Sequence, residues 1–283
     1  MFSISEETSN NISIKFKKTK DFNEILINTL RRLTLSEVYS WAFPPENIQI
    51  QKNTGILNND NIRHRISLLP IQTIKESSVK GVTISMVLNE KNTDSQVKTI
   101  TTDHCVVRVN NVIRKGMFPS PPVIICNLKE DDVIELNATA SYGKAYDHNM
   151  YAAAANSYFD EDDTSYTLYI ESLGQQSCKD IFNTSCEAYI EKLTKLQAQI
   201  NEHPDCEGNF IEIKIENENH TLGCLFVHEL QQLKETQYAA YKLEHPSINN
   251  LIVSITSDGS KNIKQLTGKV FKKLQDTFDK LKM

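Results

Sequence analysis

The sequence predicts an α+β protein: two similar strand–helix–strand units paired through their helices within one chain, with a β-rich domain inserted in the first. Three observations lead to that reading. An alternating run followed by a helical stripe recurs near each end of the chain, each copy is followed by a long helical pattern, and the residues after the first copy change to short β-type runs. The second stripe sets the energetic scale. Leu222, Leu225, Phe226, Leu230 and Leu233 share one helical face, and burying them all is worth roughly 8–15 kcal/mol at about 1.5–3 kcal/mol each. That matches the net stability of a whole domain, so this helix must lie against a large apolar partner.

Taken in order, Ile12, Ile14 and Phe16 alternate with polar residues as a strand. Asp21 is placed to cap a helix whose stripe runs through Phe22, Ile25, Leu26, Thr29, Leu30 and Leu33 towards Val38, leaving Arg31 and Arg32 off the stripe. Pro44-Pro45 ends this segment, and Ile48 and Ile50 resume an extended pattern. Asn58-Asn59-Asp60-Asn61 is a cap cluster before Ile62, Ile66, Leu69 and Ile71, a short helix stopped by Pro70. From about Val79 to Asp163 the runs Val82–Leu88, Cys105–Val109, Val123–Cys126 and Val133–Ala138 are separated by polar turns and end on the acidic loop Asp160-Glu161-Asp162-Asp163, read as a solvated turn. Tyr166, Leu168 and Ile170 make another strand, followed by a helix from Cys178 to Ile200 and a linker, His203 to Gly208.

Phe210–Ile215 then alternates as a strand, and Glu216, Glu218 and Asn219 supply the anionic and capping side chains that start a helix near His220 or Thr221. Tyr238–Leu243 and Leu251–Thr256 are strands, and Asn262–Leu281 is a helix through Ile263, Leu266, Val270, Phe271, Leu274 and Phe278. Leu26–Arg32 superposes on Leu222–His228 with its apolar positions matched, so each helix has the other as its candidate partner. The expected division is residues 1–76 with 164–203 for the first unit, 77–163 for the insert and 204–283 for the second unit.

With 283 residues, 39% hydrophobic and 24% charged, the composition is that of a globular protein with real cores. A net charge of −5 opposes phosphate backbones, so any contact with nucleic acid is indirect. The start, Met1 to Glu7, has neither a basic flank nor an apolar core, and no run approaches the span of a bilayer; a soluble, non-secreted protein with no membrane partner is expected. The 6 cysteines form no Cys-x-x-Cys pair, so free thiols in a reducing compartment are expected, with Cys186 and Cys224 as small core hydrophobes. The best candidates for catalysis, Asp103-His104-Cys105 and Asp147-His148, lack a nucleophile elbow, a phosphate loop or metal spacing, and neighbours on a strand face opposite ways. No catalytic residues, cofactor or metal are expected.

Thr29-Leu30-Arg31-Arg32-Leu33 leading to Ser36-Glu37-Val38, then Asn53-Thr54-Gly55-Ile56-Leu57 and Ile62-Arg63-His64-Arg65-Ile66-Ser67-Leu68-Leu69-Pro70-Ile71, resembles the α-type subunit family of multisubunit DNA-directed RNA polymerases, specifically the third-largest eukaryotic subunit. Asn219 to Leu225, with Ala240-Tyr241-Lys242 and His245-Pro246, is similar to the small eleventh subunit that pairs with it. The resemblance covers nearly the whole chain and implies a non-catalytic assembly platform for transcription. It implies a pairing interface of Leu26, Leu30, Leu33, Leu222, Leu225, Phe226 and Leu230. It implies that Arg31, Arg32, His64 and Arg65 face the second-largest subunit, and that Gly143-Lys144 with Tyr146 to Ala153 forms an insert loop touching a large subunit. A planar guanidinium suits such a site because it grips carboxylates or carbonyls with two donors.

The partners implied are the two largest polymerase subunits and small subunits resembling the tenth and twelfth. A fused chain is similar to subunits of large DNA viruses that replicate in the eukaryotic cytoplasm, which implies the host cytoplasm, in viral factories, and the virion. The sequence departs from the family where its zinc-binding cysteine cluster is missing, where Tyr151-Ala152-Ala153-Ala154-Ala155 replaces an aromatic–Ser–Pro segment, and where Ser67 replaces a glycine. The alternative is a standalone homodimer using the same helices. Covalent linkage opposes it, because a tethered partner has an effective concentration on the order of millimolar.

Overall fold

The computed structural model describes residues 2–74, 81–245 and 248–283. Strand β1 (Phe2–Glu7) pairs with β2 (Asn11–Lys17), and helix α1 (Glu24–Ser36) follows. The chain then leaves through β3 (Tyr39–Ala42), β4 (Ile48–Asn53), α2 (Asn59–Ser67), β5 (Ile84–Lys91), β6 (Lys98–Thr101), β7 (Val106–Val109), β8 (Val112–Ile113), β9 (Ile124–Leu128), β10 (Val133–Thr139) and β11 (Ser141–Lys144). It returns through β12 (Ala154–Glu161), β13 (Ser165–Ser172) and the long helix α3 (Cys178–Glu202). The second unit is β14 (Phe210–Glu216), α4 (His220–Gln231), β15 (Thr236–His245), β16 (Ile248–Ser257) and α5 (Ile263–Leu281).

The sheets carry the repeat. Strands β2, β13 and β12 lie side by side in that order, with β1 added outside β2, and β14, β16 and β15 lie in the same relative order, all antiparallel. Each unit thus runs strand, helix, two antiparallel strands, long helix. Everything from β3 to β11 sits between α1 and β12.

This differs from the expected division. Trp41, Phe43, Ile48, Ile62, Ile66, Leu69 and Ile71, expected in the first unit, share a core with Ile84, Met86, Leu88 and Ile134 of the insert. Strand β4 pairs with β10, whereas β12, expected in the insert, pairs with β13 of the first unit. The physical reason is that alternation states only that a strand has one buried face; which free edge it joins is a matter of tertiary register. The expected boundary at 76 and 77 and the start near Val79 lie outside the described residues, as does Pro246 of the His245-Pro246 motif. Strands β3, β6, β8 and β11 were not anticipated, being too short to show a period; nor was β12, which is mostly exposed and takes in Asp160 and Glu161 of the stretch read as an acidic loop; and β1 is mostly exposed, with little apolar signal.

The caps are local chemistry. Asn58 accepts from Asn61 N and Asn219 from Thr221 N, both within the cap clusters read in the sequence. At α1 the cap is Asn23 rather than Asp21: Asn23 Oδ1 accepts from Leu26 N at 3.0 Å, while Asp21 pairs with Lys273 of α5 at 2.9 Å. Helix α4 ends at Gln231, so Leu233 lies beyond it and packs only partly.

One hydrophobic core joins the two units, drawing on β2, β13, α1 and α3 of the first and on β14, β16, α4 and α5 of the second. Helix α1 packs on α3 and α4, and α3 lies along α5, where the Tyr189 and Phe278 rings are 4.6 Å apart. The insert has its own core. Helix α4 approaches its sheet closely because of Gly223: a Cβ there would stand 2.6 Å from the Tyr241 ring and 2.8 Å from Leu251. With contacts this short the overpacking cost of Gly223→Ala lies towards about 2–3 kcal/mol and exceeds the roughly 1 kcal/mol of gained helix propensity, so a net loss of about 1–2 kcal/mol is expected. A urea midpoint that fails to fall would contradict this close packing. The linker is folded onto the second unit, since Cys206 O accepts from Lys264 N at 2.9 Å and Gly208 O from Ile263 N at 3.1 Å.

Candidate functional site

The apolar residues expected to pair are all buried in the joint core: Leu26, Leu30 and Leu33 on α1, and Leu222, Leu225, Phe226 and Leu230 on α4. Phe226 stacks on Phe271 of α5 with ring centres 5.0 Å apart. At the margin of α1 and α4, Asn23 Nδ2 lies 3.2 Å from His228 Nε2, close enough to donate to an unprotonated ring nitrogen.

Beside this core is an ion cluster drawn from four distant parts of the chain, with Glu37 buried and Lys144, Lys192 and Glu218 half-buried around it. Glu37 sits at the C-terminal end of α1, where the helix dipole disfavours a carboxylate and the last turn offers no base. Two lysines offset that: Lys144 Nζ donates to Glu37 Oε2 and Lys192 Nζ to Oε1, each at 2.9 Å. Lys192 also pairs with Glu218 at 3.2 Å, immediately before the N-cap of α4. Tyr146 closes the cluster, its ring 5.1 Å from Lys144 Nζ and 5.6 Å from Lys192 Nζ. Polar clefts of about 430 and 370 Å³ flank it. Glu37 and Glu218 were quoted in sequence motifs without this role, and Lys192 was missed altogether. Its only signal is a lysine bordering the apolar stripe of Tyr189, Leu193 and Leu196.

The charges titrate in opposed directions. Burial alone would push the Glu37 carboxyl up, but the Lys192 and Lys144 ammoniums together hold it below its ordinary value. Burial pushes the Glu218 carboxyl up, and Lys192, with a smaller effect of Lys144, only partly offsets this against the neighbouring Glu37 charge. Burial opposes the charge on Lys192, yet Glu218 and Glu37 raise its pKa overall. The signs follow by linkage. Glu37 contributes stability that is present above the unfolded carboxyl value of 4.5 and lost as pH falls below it, whereas Glu218 contributes stability gained as pH falls towards 4.5 from above. Glu37→Gln should therefore flatten the loss of melting temperature below pH 4.5, and Glu218→Gln should remove a gain just above it. Melting curves from pH 3.5 to 7, on the order of 0.5 unit apart, would show whether the two variants differ in this way.

The residues expected to contact a large subunit fall in different places. Arg32 is exposed on α1, and beside it Arg31 Nε donates to Asn28 Oδ1 at 3.0 Å, with burial and the neighbouring Arg32 lowering its pKa. His64 and Arg65 are exposed on α2, which belongs to the insert core, and Arg65 Nη2 donates to Ile124 O at 2.9 Å. Gly143 and Lys144 face inward: Gly143 is buried where a Cβ would stand 2.7 Å from the Tyr151 ring, and Lys144 is held by Glu37.

The candidates for catalysis have structural partners. His104 lies in a short 3₁₀ turn, not on a strand, and its Nδ1 accepts from Thr101 N at 3.1 Å. Burial pushes the Cys105 thiol up to about 12, far from a reactive thiolate. His148 Nδ1 accepts from Met150 N at 3.1 Å. Cys186 is fully buried, whereas Cys224 is only half-buried, beside Tyr241. In the acidic loop Asp162 accepts from Thr164 N and Ser165 N at 2.7 Å each, closing the β12–β13 turn. No helix among the described residues is long and apolar enough to cross a membrane.

Parts of this sequence match known proteins. Residues 211–283 match the RNA polymerase Rpb3/Rpb11 dimerisation domain. A protein of Acanthamoeba polyphaga mimivirus, provisionally named as a DNA-directed RNA polymerase subunit, is 24% identical over 83% of this chain and 79% of its own length. The DNA-directed RNA polymerase subunits Rpo11 of Saccharolobus shibatae and Saccharolobus solfataricus are 41% identical over 54 residues, which is 19% of this chain and 59% of theirs. The likeness is to a fused Rpb3/Rpb11-type polymerase subunit of a large DNA virus. The Rpb3/Rpb11-type match begins at β14 and covers α4, β15, β16 and α5. It thus includes one side of the α1–α4 contact.

Proposed function

We propose that the chain is a non-catalytic assembly platform of a DNA-directed RNA polymerase, acting in the host cytoplasm of an infected cell. Its two units pair internally through α1 with α4 and α3 with α5, and the paired body holds the two largest subunits, with small subunits resembling the tenth and twelfth docking on it. The observation that carries this reading is the single core built from both units, with Leu30 and Phe226 fully buried in it. A domain type that elsewhere dimerises here finds its partner in the same chain. The exposed Arg32 with Arg31 on α1, and His64 with Arg65 on α2, are the surface assigned to the second-largest subunit, with transcription chemistry left to the large chains.

Light scattering on the purified chain should give a monomer; a stable dimer held by these helices would favour the homodimer reading instead. Purification from infected cells should recover two very large chains. Arg32→Glu should reduce that recovery at least about tenfold while leaving melting within about 0.5 kcal/mol of native, the ordinary effect of a surface change. Undiminished recovery would move the contact elsewhere.

A further inference from the structure

Three parts of the chain meet at Tyr146. Its backbone N–H donates to Ser36 O at 2.9 Å, at the end of α1. Its hydroxyl accepts from Asn249 Nδ2 at 3.0 Å and reaches Asn217 O at 3.5 Å, both in the second unit. Its ring lies beside Lys144 and Lys192, and Lys192 is shared between Glu37 of the first unit and Glu218 of the second. The far end of the same segment is anchored differently. Tyr151 O accepts from Ser40 Oγ at 2.6 Å, and the Tyr151 hydroxyl bonds Ser141 Oγ at 2.6 Å, both within the β3–β11 pair. The ends of the tip are tied locally, Lys144 by its pairing with Tyr39 in the β11–β3 ladder and His148 by accepting from Met150 N and Tyr151 N at 3.1 Å each. The bonds between them are turn bonds, Asp147 N to Lys144 O at 3.0 Å and His148 N to the same oxygen at 3.4 Å. A turn of this kind does not hold itself in one place in water, so its position depends on what it docks against.

We propose that the tip of the insert loop, Lys144 to His148, is a pairing sensor: it takes its ordered position only when the β14–α4 corner has docked beside α1. The inference rests on the internal pairing proposed above. Its consequence is an order of events. A chain whose units have not met presents a loose tip, and the surface offered to a large subunit is complete only after pairing.

Hydrogen exchange by mass spectrometry on the full chain tests this. In Asn249→Ala with Glu218→Gln, exchange in the tip should rise about tenfold or more, while α4 and the Tyr151 end keep their native rates. Tyr146→Phe, which removes only the hydroxyl, should give a smaller rise in the same peptide. Leu225→Asp should release α4 and the tip together, with β5 and β10 of the insert still protected. Slow exchange of α1 and α4 in the unaltered chain, together with a tip that keeps its native rate in all three variants, would overturn the inference alone. Fast exchange of α1 and α4 in the unaltered chain would overturn the pairing and the inference with it.

Discussion

Leu225→Asp is expected to cost roughly 3–5 kcal/mol, because it places a carboxylate with no partner in the core between the two units. Leu225 is 1% exposed, and its surroundings on α4 and α1 are apolar. The side chain either stays charged without solvation or opens the helix contact to let water in. For a chain of this size the loss corresponds to a fall in melting temperature on the order of 10 °C. Calorimetry should also separate two transitions, since the insert has a core of its own and keeps its contacts when the paired units open. Unchanged melting would show that α1 and α4 do not form a closed interface in solution.

Lys192→Ala is expected to be nearly as damaging, at about 3–5 kcal/mol, for an electrostatic reason. Lys192 forms ion pairs with both Glu37 and Glu218, whose side chains are only 4% and 14% exposed. Removing it leaves the half-buried Glu218 without its ion-pair partner, with only the less direct charge of Lys144 nearby, and Glu37 with Lys144 alone. Adding Glu218→Gln to Lys192→Ala should restore part of the loss, because a neutral amide carries no charge to desolvate. A double-mutant cycle on urea midpoints measures that coupling, expected at about 1–3 kcal/mol. Additive effects would mean the pair is too well solvated to matter.

Much of the fold was legible because it is set by local patterns. The alternation of Ile12, Ile14 and Phe16 and of Ile211, Ile213 and Ile215 does mark strands with one buried face, and the stripes of α1, α3, α4 and α5 do face a core. What could not be read was destination. Residues Ile48–Asn53 look alike whether they join the first unit's sheet or β10, and only the assembled register distinguishes them. The ion cluster was hidden for a related reason: Glu37, Lys144, Lys192 and Glu218 are ordinary surface-type residues in sequence and become one partly buried group only when the helices converge. Likewise nothing in Gly143-Lys144 as a sequence shows that Gly143 packs against the Tyr151 ring or that Lys144 pairs with Glu37.

The placement of the insert between α1 and β12 also dictates a folding schedule. Asn23 and His228, which meet at the interface, are separated by 205 positions. At the ribosome, ~5–20 residues are added per second, so the first unit's helix waits roughly 10–40 s for the second to emerge. The insert needs nothing beyond β11 to close its own core and can be complete by then. A nascent chain therefore carries a folded middle flanked by unsatisfied apolar helices, and this interval is when it is most exposed to aggregation or to capture by a chaperone.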